Sequence, residues 1–412
     1  MTLTRDDFLA LDEQDILAPF ADEFRIPEGL IYLDGNSLGA MPKAAMERAK
    51  HVIEQEWGTD LIKSWNKAGW FDLVERLGDK TATLIGADKG EVIYADATGL
   101  NVYKLVAAAL EMRPDRKVIV MEGSNFPTDN YMVQGLIKQL DRGHEIRFAE
   151  DGEILDAIRD DVACVCITHV HYKTGHLHDM AAITKKAHDV GALAVWDLCH
   201  SAGALAVDLN GCNVDFALGC TYKYLNGGPG SQSFMFVAKR HHGKAMQPLT
   251  GWWGHDAPFG FERDYRPRKD IRQFSTGTEP IVSLAMSEVG LDIFMRADMG
   301  EIRKKSLKLC DLFIQLLDER LGGYGFSLAT PKEHDRRGSQ VSIYSDKGFA
   351  IMQALIAADV VGDFRAPDIM RFGFTPLYVS YVNVWDAVER LKNIMETNAW
   401  DKPEFKKVGA VT

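Results

Sequence analysis

The sequence predicts an α/β chain: a large domain built on a mainly parallel sheet flanked by helices, and a smaller α+β domain. Three observations carry this. Apolar, β-branched runs such as KVIVME (Lys117 to Glu122) and VACVCITHV, with Thr168 at its end, alternate with amphipathic helical stretches, as parallel strands buried on both faces do. A length of 412 residues exceeds one comfortable core, so a second domain is expected. Finally, an apolar run closing on Asp197 leads, about 26 residues on, to Lys223 between two tyrosines ahead of a Gly-rich turn. Strand ends are where open α/β sheets place reactive side chains.

In order along the chain, residues 1–30 read as a polar lead-in in which Phe8, Leu9, Leu11, Ile16 and Leu17 share roughly one helical face. IYLDGNSLGAMP follows as a short strand, a turn through Asn36 and Ser37, and a proline that can start a helix. A helical pattern runs from Ala44 to about Trp57, and SWNKAGW (Ser64 to Trp70) leads into a second helix; Trp65 and Trp70 are core residues on general grounds. EVIYADATGLNVYKLVAAALEM reads as strand, turn and helix. Thr98 and Gly99 stand at the helix start, where a hydroxyl and free N–H groups can cap the helix or meet a phosphate. After KVIVME, NFPTDNY (Asn125 to Tyr131) supplies Phe126, Pro127, Thr128 and Asp129, either as a plain proline turn or as an aromatic that lies flat on a ring with polar neighbours.

A helix from Met132 to Asp141, a strand near Ile146 to Ala149 and the strand ending at Thr168 continue the alternation. MAAITKKAHDVG, a helix with a Gly stop, precedes the Asp197 strand, and His200 shares the loop beyond it. SFMFVAKR (Ser233 to Arg240) returns as a strand after Lys223; then LTGWWGHDAPFGF carries Trp252 and DIRQFSTGTEPIVSLA carries Thr278. A double tryptophan among glycines points to contact with another chain. A helix from about Pro280 to Met299 leads to the amphipathic EIRKKSLKLCDLFIQLLDERLGG, and QVSIYS, VVGDFRAPDIMRFGF and a closing helix (Val384 to Thr397) complete the small domain. The expected boundaries are 1–45 for a segment joining the small domain, 46–290 for the large domain and 291–412 for the small one.

Composition excludes several classes. Hydrophobic residues make up 46% and charged ones 26%, as in globular enzymes, and no run approaches the ~20 apolar residues of a membrane helix. The acidic N-terminus lacks the basic-then-apolar pattern of a signal peptide, so a cytoplasmic location is expected. A net charge of −12 argues against nucleic acid as a partner. The six cysteines sit mostly in apolar runs and read as free thiols. HVH (His169 to His171), HLH (His176 to His178) and His241-His242 invite a zinc reading, but no third and fourth ligand follow at a usual spacing, and no metal is expected.

Chemically, a carboxylate at a strand end wants a cationic partner, and a lysine beside a Gly-rich turn can be partly desolvated. Asp197 and Lys223 together are what pyridoxal phosphate (PLP) needs: the carboxylate keeps the pyridine nitrogen protonated and the lysine holds the aldehyde. An ion pair at a sheet edge is the structural alternative.

The blocks DLCHSAG, TYKYLNGGPG, YLDGNSLG, NFPTDNY, SWNKAGW and GDFRAPDIMRFGFTPLY resemble, in order and spacing, the kynureninases, which belong to the fold-type I, aminotransferase class V group of PLP enzymes. The matching blocks run from about Ile31 to Tyr378. The resemblance implies PLP on Lys223, its pyridine nitrogen on Asp197 and its phosphate near Thr98, Gly99 and Tyr222. It puts Phe126, Pro127, Thr128, Asp129, Thr168 and His200 around the cofactor. Trp252 and Thr278 would reach the site of the neighbouring subunit, in a homodimer with composite sites. Arg371 would hold the substrate α-carboxylate through two parallel hydrogen bonds, with Arg365 ordering its loop, and Asn36, Ser37 and Trp65 would lie on the substrate side. The implied reaction is hydrolytic Cβ–Cγ cleavage of L-kynurenine to anthranilate and L-alanine, in tryptophan catabolism or NAD biosynthesis, with Lys223 as the base on Cα and Tyr222 as a proton carrier. A bulky Trp65 and a short Thr278 beside the ring favour L-kynurenine over 3-hydroxykynurenine. A cysteine desulfurase would share the Asp and Lys but needs a reactive cysteine on a mobile loop, and Cys310 lies within an amphipathic helix. A non-catalytic PLP-fold regulator would carry a basic DNA-binding module, and the sequence shows none.

Overall fold

The apolar runs of the first half pair into one seven-stranded sheet in a computed structural model that describes residues 3–407. In chain order its strands are β1 (Val92–Tyr94), β2 (Val118–Glu122), β3 (Glu145–Ala149), β4 (Val162–Thr168), β5 (Leu193–Asp197), β6 (Phe216–Gly219) and β7 (Phe234–Val237). In space the order is β1-β7-β6-β5-β4-β2-β3, with β2 to β6 parallel and β7 antiparallel to both of its neighbours. All strands except the edge strand β3 are buried along their whole length, which is why their sequences show no polar alternation. Thr168 and Asp197 are direct partners at the ends of β4 and β5, so the topology puts both at one sheet edge.

Boundaries shift where local chemistry decides them. The helix expected from Met132 spans Pro127–Leu140, because Pro127 takes the first helical position after Phe126, where its missing N–H costs nothing. The pattern from Ala44 to Trp57 is α-helical only to His51 and widens to a π-turn over Val52–Trp57. The helix expected to reach Met299 ends at Phe294. A new one, Met299–Leu321, starts where the Asp298 carboxylate accepts the Glu301 N–H at 2.9 Å.

The small domain carries β8 (Ser327–Leu328), β9 (Gln340–Tyr344), β10 (Asp363–Arg365) and β11 (Ile369–Gly373) in the antiparallel order β8-β9-β11-β10, and helix Met299–Leu321 packs against helix Tyr381–Glu396. The N-terminal segment joins this domain: Ile31–Tyr32 pairs with Val360–Val361, and the Phe8 ring meets Trp385 at 5.4 Å. From there the segment crosses to the large domain, where the Gly39 N–H donates to the Tyr222 carbonyl at 2.7 Å. A β-carbon at Gly39 would lie 2.2 Å from the Lys223 carbonyl oxygen, so glycine alone permits this approach.

Candidate active site

A cavity of about 360 Å³ is lined by the ends of β4 and β5 on one side and by the small-domain sheet on the other. Asp197 closes β5, and the Cys199 N–H donates to its Oδ1 at 2.7 Å. Asp129, brought in by helix Pro127–Leu140, is its buried neighbour; its Oδ2 accepts from Asn125 Nδ2 at 3.0 Å. Burial, and after it the Asp197 charge, holds Asp129 well above the usual carboxylate range. Asp129 is thus biased toward its neutral form and hydrogen-bonds Asp197.

Lys223 Nζ lies 2.8 Å from His200 Nε2 and 6.0 Å from the centre of the Tyr222 ring. Burial, helped by the Lys223 charge, holds His200 far below the usual imidazole range, so the ring is neutral. An ammonium only donates, which makes Nε2 the acceptor and leaves the ring proton on Nδ1. The Cys220 sulfur and burial push the Tyr222 phenol up, keeping it a neutral donor.

Helix Thr98–Glu111 begins at the cavity with no side-chain cap, and its first backbone bond runs from Asn101 N to Ala97 O at 3.1 Å. The N–H groups of Thr98 and Gly99 are left for an anion. A group with an anionic end, a protonated ring nitrogen and an aldehyde thus meets an uncapped helix start, a charged carboxylate and a lysine amine. The residues present fit PLP.

On the small-domain side, Arg371 is 1% exposed on β11, directly opposite Asp363 of β10. Its Nε donates to Asp363 Oδ1 at 2.6 Å, its Nη1 to the Tyr172 carbonyl at 2.6 Å and its Nη2 to Ser37 Oγ at 3.0 Å, with a further Nη2 bond to Asp363 Oδ2. The two-pronged face expected to grip a carboxylate is thus already committed to Asp363, and one Nη1 hydrogen is what a ligand can use. Arg365, expected only to order its loop, lines the same cavity one-third exposed, 2.7 Å from Asp363 Oδ2. Burial and the Asp363 charge push Asp34 beside this cluster up to about 7.

Asn36, Ser37, Phe126, Thr128 and Thr168 line the cavity as the sequence reading expects. Pro127 does not; it serves as the helix start, a correction that follows from its place at N1. Trp65, Trp252 and Thr278 also lie outside this cavity. Trp65 packs edge-on against Trp70 at 5.9 Å and against Trp253 at 5.7 Å, Trp252 stacks on Trp253 at 4.4 Å, and Thr278 is exposed. The sequence reading missed Asn125, Tyr172, Cys199, Ser231 and Asp363. Asn125 and Asp363 lie inside blocks already singled out, whereas Tyr172 carries no signal of its own.

Solved structures with this architecture include a cysteine desulfurase from Thermococcus onnurineus NA1, with a TM-score of 0.78 at 18% identity over 92% of this chain and 98% of that one. The cysteine desulfurase CsdA from Escherichia coli gives 0.76 at 16% identity over 92% and 98%. At such identities the likeness speaks for the fold alone, the α/β architecture of the fold-type I group. Sequence goes further. The family model of the kynureninase C-terminal domain matches residues 302–391, and kynureninases from Burkholderia pseudomallei and Pseudomonas fluorescens are 54% and 52% identical over 99% of this chain and the full length of each relative. The chain belongs to the kynureninase family. Among the described residues no helix is long and apolar enough to cross a membrane.

Proposed function

We propose that this cavity cleaves the Cβ–Cγ bond of L-kynurenine with water, giving anthranilate and L-alanine, and that its residues divide the work as follows. The observation that carries the reading is the convergence, on one cavity, of the Lys223 amine, the neighbouring Asp197 and Asp129 carboxyls, the uncapped helix start at Thr98, and the guanidinium groups of Arg365 and Arg371. PLP, when bound, supplies an electron sink for charge developing on the amino-acid carbons. Lys223 holds it through the amine and, once released, moves the proton at the substrate Cα. Asp197 would keep the pyridine nitrogen protonated, while Asp129, biased toward its neutral form, steadies Asp197 without competing for that cation. Thr98 and Gly99 hold the phosphate. Arg371, fixed by Asp363, Ser37 and the Tyr172 carbonyl, offers its one remaining Nη1 hydrogen and its charge to the α-carboxylate; the preset geometry limits the ordering cost, and Arg365 adds a second cation. Water adds to the γ-carbonyl, the Cβ–Cγ electron pair goes to Cβ as anthranilate departs, and Cβ takes a proton, for which the neutral Tyr222 is the donor.

The enzyme acts as a homodimer in which Trp252 and Thr278 complete the cavity of the partner, with Trp65 on the substrate side. Supporting this, Trp252 stacks on both Trp253 and Phe261 in a surface cluster where Trp252, Phe259 and Phe261 are 40%, 62% and 76% exposed. The bulk of Trp65 in that arrangement favours the unsubstituted ring. All six cysteines are free, which supports a reducing cytoplasm. The desulfurase alternative lacks its nucleophile: Cys310 is buried within helix Met299–Leu321 and its thiol is pushed up to about 12 by burial. Following anthranilate release from L-kynurenine beside sulfide release from cysteine tests the reading; sulfide without anthranilate would overturn it.

A further inference from the structure

The HVH and HLH motifs are the two arms of one hairpin, in which His171 N–H donates to the His176 carbonyl at 2.8 Å and His178 N–H to the His169 carbonyl at 3.0 Å. With Leu177 between them, His176 and His178 project to the same side of an extended segment, their rings 4.7 Å apart. Two acidic residues from distant parts of the chain face them. Glu122 closes β2, and Asp151 follows β3.

We propose that Asp151, His176 and His178, with Glu122 beside His178, bind a zinc-class divalent cation. One ligand atom from each of Asp151, His176 and His178 lies within 4.8 Å of the others. An independent observation points the same way: His176 Nδ1 and His178 Nε2 are buried polar atoms without a hydrogen-bond partner, a costly condition that a shared cation relieves. Their spacing suits an ion better than direct hydrogen bonds. His178 Nε2 stands 3.3 Å from Glu122 Oε1 and His176 Nδ1 stands 3.5 Å from Asp151 Oδ1. Donors about 2.0 to 2.1 Å from a tetrahedral zinc are roughly 3.3 Å apart. Two imidazoles and a carboxylate, with water in the fourth position, form a donor set that zinc accepts and magnesium does not favour.

Access comes from a cleft of about 700 Å³, lined by the cluster and by Asp179 and Asp335, whose charge draws a hydrated cation inward. Arg336 is the competitor. Its Nη2 lies 3.2 Å from His176 Nε2 and 3.7 Å from Asp151 Oδ2, and a guanidinium there opposes the proton shift to Nε2 that ligation through Nδ1 requires. The Arg336 side chain is half exposed and can swing into solvent. None of the three ligands lines the active-site cavity, so the site acts on the hairpin and not on the reaction directly.

The test uses the untagged, full-length, PLP-loaded enzyme, treated with a chelator and dialysed to equilibrium against Zn²⁺. One zinc per chain is expected, with a rise in melting temperature. Asp151→Asn, at a half-exposed position that leaves the fold intact, and His176→Gln should each weaken binding at least tenfold and abolish the thermal shift, while Arg336→Ala should tighten it. Wild-type protein that takes up no zinc, or uptake unchanged by Asp151→Asn and His176→Gln, would overturn the proposal.

Discussion

Exchanging each of the two neighbouring carboxylates for its amide should have very unequal effects. Burial and the Asp197 charge bias Asp129 toward its neutral form. Asp129→Asn therefore replaces one neutral hydrogen-bonding group by another: the amide oxygen can still accept from Asn125 and the amide N–H can still donate to Asp197. The loss should stay within about tenfold in kcat, or about 1.4 kcal/mol. Asp197→Asn removes the charge that faces the ring nitrogen. Taking one partner out of a buried ion pair costs about 3 to 5 kcal/mol, which is about two to four orders of magnitude in rate. The assay is anthranilate formation under saturating L-kynurenine, with the visible absorbance of lysine-bound cofactor measured in parallel so that lost cofactor is not read as lost catalysis. If Asp129→Asn proved as damaging as Asp197→Asn, the assignment of charge within the pair would be wrong.

Lys223→Ala should lose both the visible absorbance of bound cofactor and all turnover; normal turnover would refute its role. Mixing inactive Lys223→Ala and Trp252→Ala subunits should restore activity in hybrid dimers, since one composite site would then be intact, whereas no recovery would place both residues in one site. Trp65→His combined with Thr278→Asn should narrow a preference for L-kynurenine over 3-hydroxykynurenine of roughly one to two orders of magnitude in kcat/KM, as a matched hydroxyl replaces a buried unmatched one; equal wild-type values would refute the ring-end assignment. Asp215 offers a stability test beside the catalytic strand. Burial raises its pKa, but His188, His241 and the Ala194 N–H, each at 2.7 to 2.8 Å, outweigh that and hold it well below the usual range. Because the folded pKa is depressed, this stability is fully present above the unfolded value of about 3.9 and is lost as pH falls through the folded one. Asp215→Ala should thus cost about 3 kcal/mol in urea unfolding at neutral pH, with a smaller gap in acid; a gap independent of pH would contradict the assignment.

The large sheet was legible because strands buried on both faces must be continuously apolar, and the runs ending at Thr168 and Asp197 needed no tertiary information to place them at one edge. Gly39 and the helix start at Thr98 carried local signals as well. What could not be read depends on register between distant segments. Asp363 takes the Arg371 fork because β10 and β11 pair at that register, and nothing in the spacing of the two residues distinguishes that from a free guanidinium. The histidine motifs read as ligand-poor for the same reason: Asp151 and Glu122 reach them from separate strand ends. Trp65 showed aromatic bulk but not direction, and direction is set by its packing on Trp253.

The most direct test of the central claim is product stoichiometry. PLP-loaded enzyme given L-kynurenine should release anthranilate and L-alanine in equal amounts, and Lys223→Ala should release neither. Cofactor bound at Lys223 with no anthranilate formed, or alanine formed without it, would contradict the assignment of this cavity to Cβ–Cγ hydrolysis.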